Sequence, residues 1–331
     1  MTRILQVTGP GDPAIREAAQ QLIAGGLVAF PTETVYGLGA DGLNPAAVAR
    51  IYAAKGRPAT NPVILHVADV DAAKALVSRW PAAADMLTGR FWPGPLTLVL
   101  PRSARASDAV TGGQPTVALR VPAHPLAREL LLRFGGGVAA PSANRFGGVS
   151  PTTAEHVRLD LGSEVDLVLD GGPCAVGVES TIVDLSSATP AVLRPGGVPQ
   201  EDLERVLGHP VPVRAEGGPR TPGTLPSHYA PRAGLILVPP AELPECARSL
   251  LAQGRRVAVM GQCPGTLPPG IGSFPLPAAP AEFARALYAT LRAIDLAGFE
   301  VIVATPPPPE GLGLAVHDRL TRASAPREPK G

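Results

Sequence analysis

Residues 208–232, GHPVPVRAEGGPRTPGTLPSHYAPR, carry no apolar period and are dense in Gly and Pro, and they divide the 331-residue chain into two stretches that are both periodic. A segment without a period of 2 or 3.6 presents no face to bury, so it joins cores instead of building one. A chain this long also exceeds what one hydrophobic core ordinarily serves. The expected organisation is a domain over residues 1–207, an extended linker over 208–232 lying as a strap across a surface, and a smaller domain over 233–331 with a frayed tail, APREPKG.

Before the linker, helix and strand signals are mixed. Asp12-Pro13 caps and opens a helix whose apolar positions Ile15, Ala18, Ala19, Leu22 and Ile23 share one face, and Gly25-Gly26 ends it. Asn44-Pro45 opens a second helix through Ala54, with Gly56 as its C-cap. Further helices are expected over 70–78, up to Arg90, over 125–134 and 152–161, and ending near Leu207. Strand-like runs fall at 27–30, 63–67, 96–100, 116–121, 138–140, 167–169, 181–185 and 191–193. This order predicts an α/β fold with an open, mixed, twisted sheet. After the linker, strands at 235–238, 256–260 and 301–304 alternate with helices near 241–252, 281–297 and 313–324, the pattern of a small parallel α/β domain.

Apolar residues make up 45% of the chain and aromatics 4%, so the cores must be built from Ala, Val and Leu. The net charge of +1 gives no global argument for nucleic-acid binding and leaves room for a local basic cleft. Three scattered cysteines, Cys174, Cys246 and Cys263, support neither a disulfide framework nor a zinc site. The start, MTRILQVTGPGD, has no apolar signal core, and no run of about 20 apolar residues can span a bilayer. The expected compartment is the cytoplasm, with no membrane partner.

Polar punctuation gathers at the ends of the expected strands. Pro31 to Gly39, PTETVYGLG, follows a buried strand and suits either a ligand loop or a polar turn. It is not a dinucleotide fingerprint, and no GxxxxGK[ST] loop occurs in the chain. Lys55 and Arg57 sit on a helix-ending loop, where they either grip phosphates or form a solvated basic turn. His66 alternates with apolar neighbours and is either a packed core group or a ligand contact. Thr116 and Arg120 share a strand face; a buried Arg120 needs an anion, supplied by a protein carboxylate or by a substrate. Ala139 to Asn144 ends a strand with small residues and the polar tips Ser142 and Asn144. Ser150-Pro-Thr-Thr reads as a helix cap or a phosphate seat. GVEST, with Ser180, precedes a strand, and Arg194 ends one. With Thr32, these residues lie where open α/β sheets bind ligands, and together they describe a small-molecule site rich in cations and hydroxyls, with no protein metal cage.

The ordered set FPTETVYGLG, KGRP…NP…H, WPGPLT, ALRVPAHP, APSAN, SPT, GVEST and LRPG resembles the YrdC family of threonylcarbamoyl-AMP synthases over about residues 10–205. SHYAP and the smaller domain behind it resemble the long, two-domain branch. The resemblance implies a nucleotidyltransferase that makes L-threonylcarbamoyl-AMP from L-threonine, bicarbonate and ATP, releasing pyrophosphate. A downstream threonylcarbamoyl transferase machinery would then modify the tRNA adenosine next to the anticodon, with at most a weak tRNA contact by this chain. Carried onto this sequence, Lys55 and Arg57 are the catalytic cations. Thr32, His66, Arg120, Ala140 and Ser180 bind threonine. Lys55, Arg57, Asn61, Thr116, Ser142, Asn144, Ser150, Arg194 and Tyr229 bind ATP, with Tyr229 in the strap closing over the nucleotide. Mg2+ is expected to ride on the ATP phosphates, with no ligand from the protein.

Two other classes fit parts of the same sequence. Another carbamoyl-adenylate synthesis on this fold would bring zinc-binding cysteine pairs or a large transferase module, and neither is present in this sequence. A double-stranded-RNA-binding module would bind through a concave basic face, against which the charge balance and the prolines argue. Nothing in residues 233–324 names a ligand for the second domain.

Overall fold

The computed structural model describes residues 2–214 and 217–326. The chain divides into two compact units: one runs up to Phe146 and resumes over Ser150–Thr224, and the other comprises Gly147–Val149 and everything from Leu225 on.

The first unit begins with β1 (Arg3–Gln6), α1 (Pro13–Ile23), β2 (Val28–Phe30), β3 (Gly37–Asp41), α2 (Pro45–Lys55) and β4 (Ile64–His66). It continues through α3 (Val70–Lys74), α4 (Ala82–Phe91), β5 (Leu96–Pro101), α5 (Asp108–Thr111), β6 (Thr116–Arg120), α6 (Pro125–Phe134) and β7 (Val138–Ala139). It closes with α7 (Ala154–Leu161), β8 (Leu167–Asp170), β9 (Thr181–Asp184), β10 (Ala191–Arg194) and α8 (Gln200–Leu207). The ten strands form one open sheet in the order β1-β8-β2-β3-β7-β4-β6-β5-β9-β10. Pairs such as β4 with β6 and β5 with β9 are parallel, while β2 with β3, β7 with β4 and β5 with β6 are antiparallel. This is the open mixed sheet expected from the sequence.

Local chemistry sets the elements. The Asp12 side chain accepts the Ala14 N–H and Pro13 starts α1; Asn44 accepts the N–H groups of Ala46 and Ala47 and Pro45 starts α2. Gly56 ends α2 with φ +64°, a conformation a β-carbon disfavours. Ile15, Ala18, Ala19 and Leu22 of α1 bury against Leu126, Ala127, Leu130 and Leu131 of α6 over one face of the sheet. Val48, Ile51 and Tyr52 of α2 pack with Leu38, Leu65, Leu119 and Ala139 on a second apolar face.

Three local expectations change. Gly37–Gly39, read as the end of the Pro31–Gly39 loop, belong to strand β3, because the backbone of that strand pairs with both β2 and β7. The helix expected over 70–78 stops at Lys74, since Val77 bridges Arg102 and the Ser78 N–H donates to Pro101 O. Residues 108–111 form a short helix that the periodicity did not reveal. Within 208–232, Val213 bridges Val192 beside β10, so this stretch partly extends the sheet edge. Ala215 and Glu216, and the tail from Glu328 with its neighbour Arg327, lie outside the described residues.

The second unit contains β11 (Gly234–Leu237), α9 (Leu243–Ala252), β12 (Val257–Met260), β13 (Gly272–Phe274), α10 (Pro280–Leu296), β14 (Val301–Ala304) and α11 (Gly313–Ser324). Its four strands form a parallel sheet in the order β11-β14-β12-β13. Leu243 and Ala247 of α9 bury against Val257, Val259 and Val303. The SHYAP segment is built into this unit. His228 N–H donates to Arg322 O, Ala230 N–H donates to Gly147 O, and the Asp295 carboxylate accepts the N–H groups of Arg232 and Ala233. No helix among the described residues is long and apolar enough to cross a membrane.

Gly196, just after β10, has no room for a side chain. A β-carbon there would lie 2.4 Å from Glu179 O, Ser180 C and Thr181 N. Gly196→Ala should therefore cost about 3 kcal/mol in urea unfolding. Gly89→Ala, inside α4 with nothing within 4 Å of the added carbon, should be neutral or stabilising by up to about 1 kcal/mol.

Candidate active site

Four cations of the first unit are buried, and each is held by oxygen atoms of loops at strand or helix ends. Lys55, at the last position of α2 and 3% exposed, donates from Nζ to Ser142 O at 2.6 Å and to Asn144 O. The KGR and SAN motifs are thus one structure, with the ammonium fastening the loop after β7. Burial, with Arg57 and Arg145 nearby, holds the Lys55 pKa well below the ordinary lysine value, and Asp160 partly opposes this. Arg57 donates to Asn61 O at 3.3 Å and Pro62 O at 2.7 Å, and its guanidinium lies 5.5 Å from the Phe146 ring centroid. Asn61 therefore contributes its carbonyl to the loop. Asn144, itself buried, donates from Nδ2 to Arg145 O.

Arg120, at the end of β6 and 4% exposed, meets its anion inside the protein: Nη2 lies 2.7 Å from Glu33 Oε1, while Nε donates to Gly94 O at 3.2 Å. Glu33 Oε2 accepts the Ala123 N–H at 3.0 Å. His66 ends β4 as the register partner of Arg120, and the edge of Phe30 packs on its ring at 6.3 Å. Burial, and then the Arg120 charge, pushes the His66 imidazole down to about 3, so it is neutral at pH 7. Its Nδ1 is buried with no hydrogen-bond partner among the described residues. Ala140 lies beside it, its N–H donating to Ile64 O at 3.0 Å. Thr32 closes its own turn: Oγ1 accepts the N–H groups of Thr34 and Val35 and donates to Val35 O. Thr116, at the other end of β6, is buried at the position that shares a strand face with Arg120.

Arg194, ending β10 and 3% exposed, grips Ser180 O from Nε and Nη2, touches Ser180 Oγ at 3.2 Å, and donates from Nη1 to Pro222 O at 2.9 Å. Ser180 Oγ also lies 2.8 Å from Thr97 Oγ1. Ser150 Oγ donates to Glu179 Oε1 at 2.6 Å. The cap of α7 is Thr153, whose Oγ1 accepts the His156 N–H, so Ser150 is spared that role. Tyr229 is placed in the second unit, with φ +60°, stacked on Tyr288 at 6.0 Å and under the Arg319 guanidinium at 4.9 Å.

Of the predicted residues, Lys55 is joined to Ser142 and Asn144, Arg57 to Asn61, and Arg194 to Ser180, and His66 is the register partner of Arg120, whereas Thr32, Thr116, Ala140, Ser150 and Tyr229 belong to none of these groups. The carboxylates of Glu33 and Glu179 and the hydroxyl of Thr97 were missed. The signal for Glu33 was present, since PTET supplies a carboxylate and a buried Arg120 demands one. Among the described residues, no group of three or more His, Cys, Asp or Glu side chains is gathered as a metal cage. The site offers positive charge, hydroxyls, a neutral imidazole and backbone carbonyls. That set is suited to orienting an anionic substrate and to stabilising charge on a leaving group without a covalent nucleophile.

The neutral His66 has a consequence for stability. The unfolded imidazole binds a proton below about 6.5, whereas the folded one does so only below about 3. In that window the unfolded state holds more protons, so stability falls as pH drops, by at most about 1.4 kcal/mol per pH unit. Relative to the wild-type chain, His66→Gln should flatten the fall in urea-unfolding free energy between pH 6.5 and pH 4. An unchanged slope would show that His66 is protonated in the folded state.

The Sua5–YciO–YrdC family pattern, which carries the description telomere recombination, matches residues 20–196, and the pattern for the threonylcarbamoyl-AMP synthase C-terminal domain matches residues 198–325. The threonylcarbamoyl-AMP synthase of Pyrococcus abyssi is 44% identical, with 94% of each chain covered. That of Bacillus subtilis is 42% identical over 96% of this chain and 94% of its own. A crystal structure of P. abyssi Sua5 complexed with L-threonine superposes with a TM-score of 0.92 at 41% identity, covering 98% of this chain and 97% of that one. With both domain patterns present in order and two such relatives matched almost end to end, the chain belongs to the threonylcarbamoyl-AMP synthase family of nucleotidyltransferase enzymes, in its long two-domain form.

Proposed function

We propose that this chain makes L-threonylcarbamoyl-AMP from L-threonine, bicarbonate and ATP, and that the product supplies the threonylcarbamoyl group for the tRNA adenosine beside the anticodon. The observation that carries this reading is the burial of Lys55, Arg57, Arg120 and Arg194 at loop and strand ends of one sheet, together with Ser180, Ser150 and His66. The P. abyssi complex with L-threonine supports threonine as the amino acid.

The chemistry follows from charge. The threonine ammonium gives up a proton, bicarbonate takes one and splits into CO2 and water, and the free amine attacks the carbon of CO2, loses its second proton to solvent and becomes a carbamate. A carbamate oxygen then attacks the α-phosphorus of ATP, the bond to the bridging oxygen breaks, and pyrophosphate carries away the electron pair. Two anions must meet, so stabilisation comes from fixed positive charge. Lys55, Arg57 and Arg194 would face the triphosphate, and a polyanion there would offset the burial that holds the Lys55 pKa down. Arg120 would bind the threonine carboxylate, using N–H groups left after Nε and Nη2 have bonded Gly94 and Glu33. Thr32, Ala140, Ser180 and the neutral His66 would orient the rest of threonine. Asn61, Thr116, Ser142, Asn144 and Ser150 would contact the nucleotide, and Tyr229 is assigned to it through the resemblance of SHYAP.

A Mg2+ ion fits as a passenger on the phosphates. The buried carboxylates Glu33 and Glu179 are bonded to Arg120 and Ser150, so phosphate oxygens and water would be its ligands. When bound, it would neutralise phosphate charge. Cytoplasmic location and a downstream transferase complete the proposal.

Pyrophosphate release from ATP and bicarbonate should depend on L-threonine and respond far less to L-serine. Arg120→Ala should raise the KM for threonine by at least about tenfold, the effect of losing a charge-assisted hydrogen bond, with a smaller effect on the KM for ATP. Release that ignores threonine in folded protein would overturn the proposal and favour another carbamoyl acceptor.

A further inference from the structure

Glu33 has no assigned role in the family motif carried over above, yet its side chain is among the most constrained in the first unit. It stands between β2 and β3 and is 9% exposed. Oε1 lies 2.7 Å from Arg120 Nη2, Oε2 accepts the Ala123 N–H at 3.0 Å, and its carbonyl accepts the Val176 N–H at 2.8 Å. The carboxylate therefore cannot swing away from Arg120 without breaking bonds at both oxygens.

The pair alters what Arg120 can recognise. A lone buried guanidinium carries +1 and would accept any carboxylate small enough to enter. Paired with Glu33, it is a neutral dipole that still directs N–H groups outward. A monoanionic carboxylic acid entering such a site would bring one uncompensated negative charge into a buried environment, which is costly. A zwitterion brings none, because its own ammonium offsets its carboxylate. The low local dielectric strengthens both effects.

We propose that Glu33 is a specificity-determining residue: through its buried pair with Arg120 it makes the site select a zwitterionic α-amino acid over the corresponding anionic hydroxy acid. Glu33 acts through Arg120 and positions it, in addition to setting the charge of the site. The inference rests on the assignment of Arg120 to the substrate carboxylate.

The test compares L-threonine with 2,3-dihydroxybutanoate of matching configuration, in which a hydroxyl replaces the ammonium. Binding to the full chain is measured by calorimetry, and competition is measured against threonine-dependent pyrophosphate release. The wild-type chain should strongly prefer threonine. Glu33→Gln leaves Arg120 with its full charge, so it should bind the hydroxy acid more tightly than wild type does and narrow the preference by at least about tenfold. A gain of affinity is a result that a damaged fold does not give. Glu33→Asp keeps the charge one methylene further back, so it should keep the preference while binding both compounds more weakly. If Glu33→Gln melts before it can be measured, Glu33→Ala takes its place: a preference narrowed by about tenfold or more supports the proposal, and a preference within twofold of wild type overturns it. A preference within twofold of wild type in Glu33→Gln overturns the proposal outright. Arg120→Ala separates the two levels. Undiminished threonine binding in that variant overturns the assignment of Arg120, whereas lost binding alongside an unchanged preference in Glu33→Gln overturns the role of Glu33 alone.

Discussion

A buried cation must find oxygen, and the first unit is organised by that requirement. Lys55, Arg57, Arg120 and Arg194 are each no more than 8% exposed. Their donors end on Ser142 and Asn144, on Asn61 and Pro62, on Gly94 and Glu33, and on Ser180 and Pro222. These acceptors lie in loops that have few helical or strand hydrogen bonds of their own. An unmade bond at any of them would leave a charged donor buried, which costs far more than a neutral one. The loops are therefore fixed by the same side chains that give the site its charge.

That economy explains why the site has the form of a binding surface without a nucleophile. Carbonyl oxygens satisfy the geometry of Lys55 but bring no full negative charge, and burial with Arg57 nearby holds its pKa low. Arg120 differs because a carboxylate answers it, and this places a neutral pair beside the neutral His66. Serine and threonine hydroxyls fill the space between: Ser180 meets both Thr97 and Arg194, and Ser150 meets Glu179. Hydroxyls both donate and accept, so they can join such a network without a further burden of charge.

The second unit solves a different problem with similar means. Arg319 is 1% exposed, is paired with Asp318 and lies over Tyr229, whose ring also stacks on Tyr288. Tyr229 holds a left-handed backbone conformation, which a residue with a β-carbon adopts at a cost of roughly 1–2 kcal/mol. The bonds from Asp295 and Arg322 on either side keep it there. A segment read from sequence as an extended linker is, in its last third, part of this unit.

The sequence by itself determined what is local. Proline after Asp12 and Asn44 opened helices, Gly56 closed one, and apolar runs such as Leu96–Leu100 and Thr116–Val121 could only be strands, since each follows from near-neighbour sterics and side-chain periodicity. It also placed most candidate residues at strand ends, and the ordered motifs named the family. It could not show that Gly37–Asp41 is a strand, because glycine-rich backbone has no pattern of its own and becomes a strand only when β2 and β7 flank it. Nor could it choose between a protein and a substrate carboxylate for Arg120. The sequence required an anion there, but only the fold, by bringing Glu33 across 87 residues to within 2.7 Å, showed that a protein carboxylate meets one edge of the guanidinium. Long-range ion pairs leave no periodic trace in a chain; they exist only where tertiary packing removes water from both partners at once.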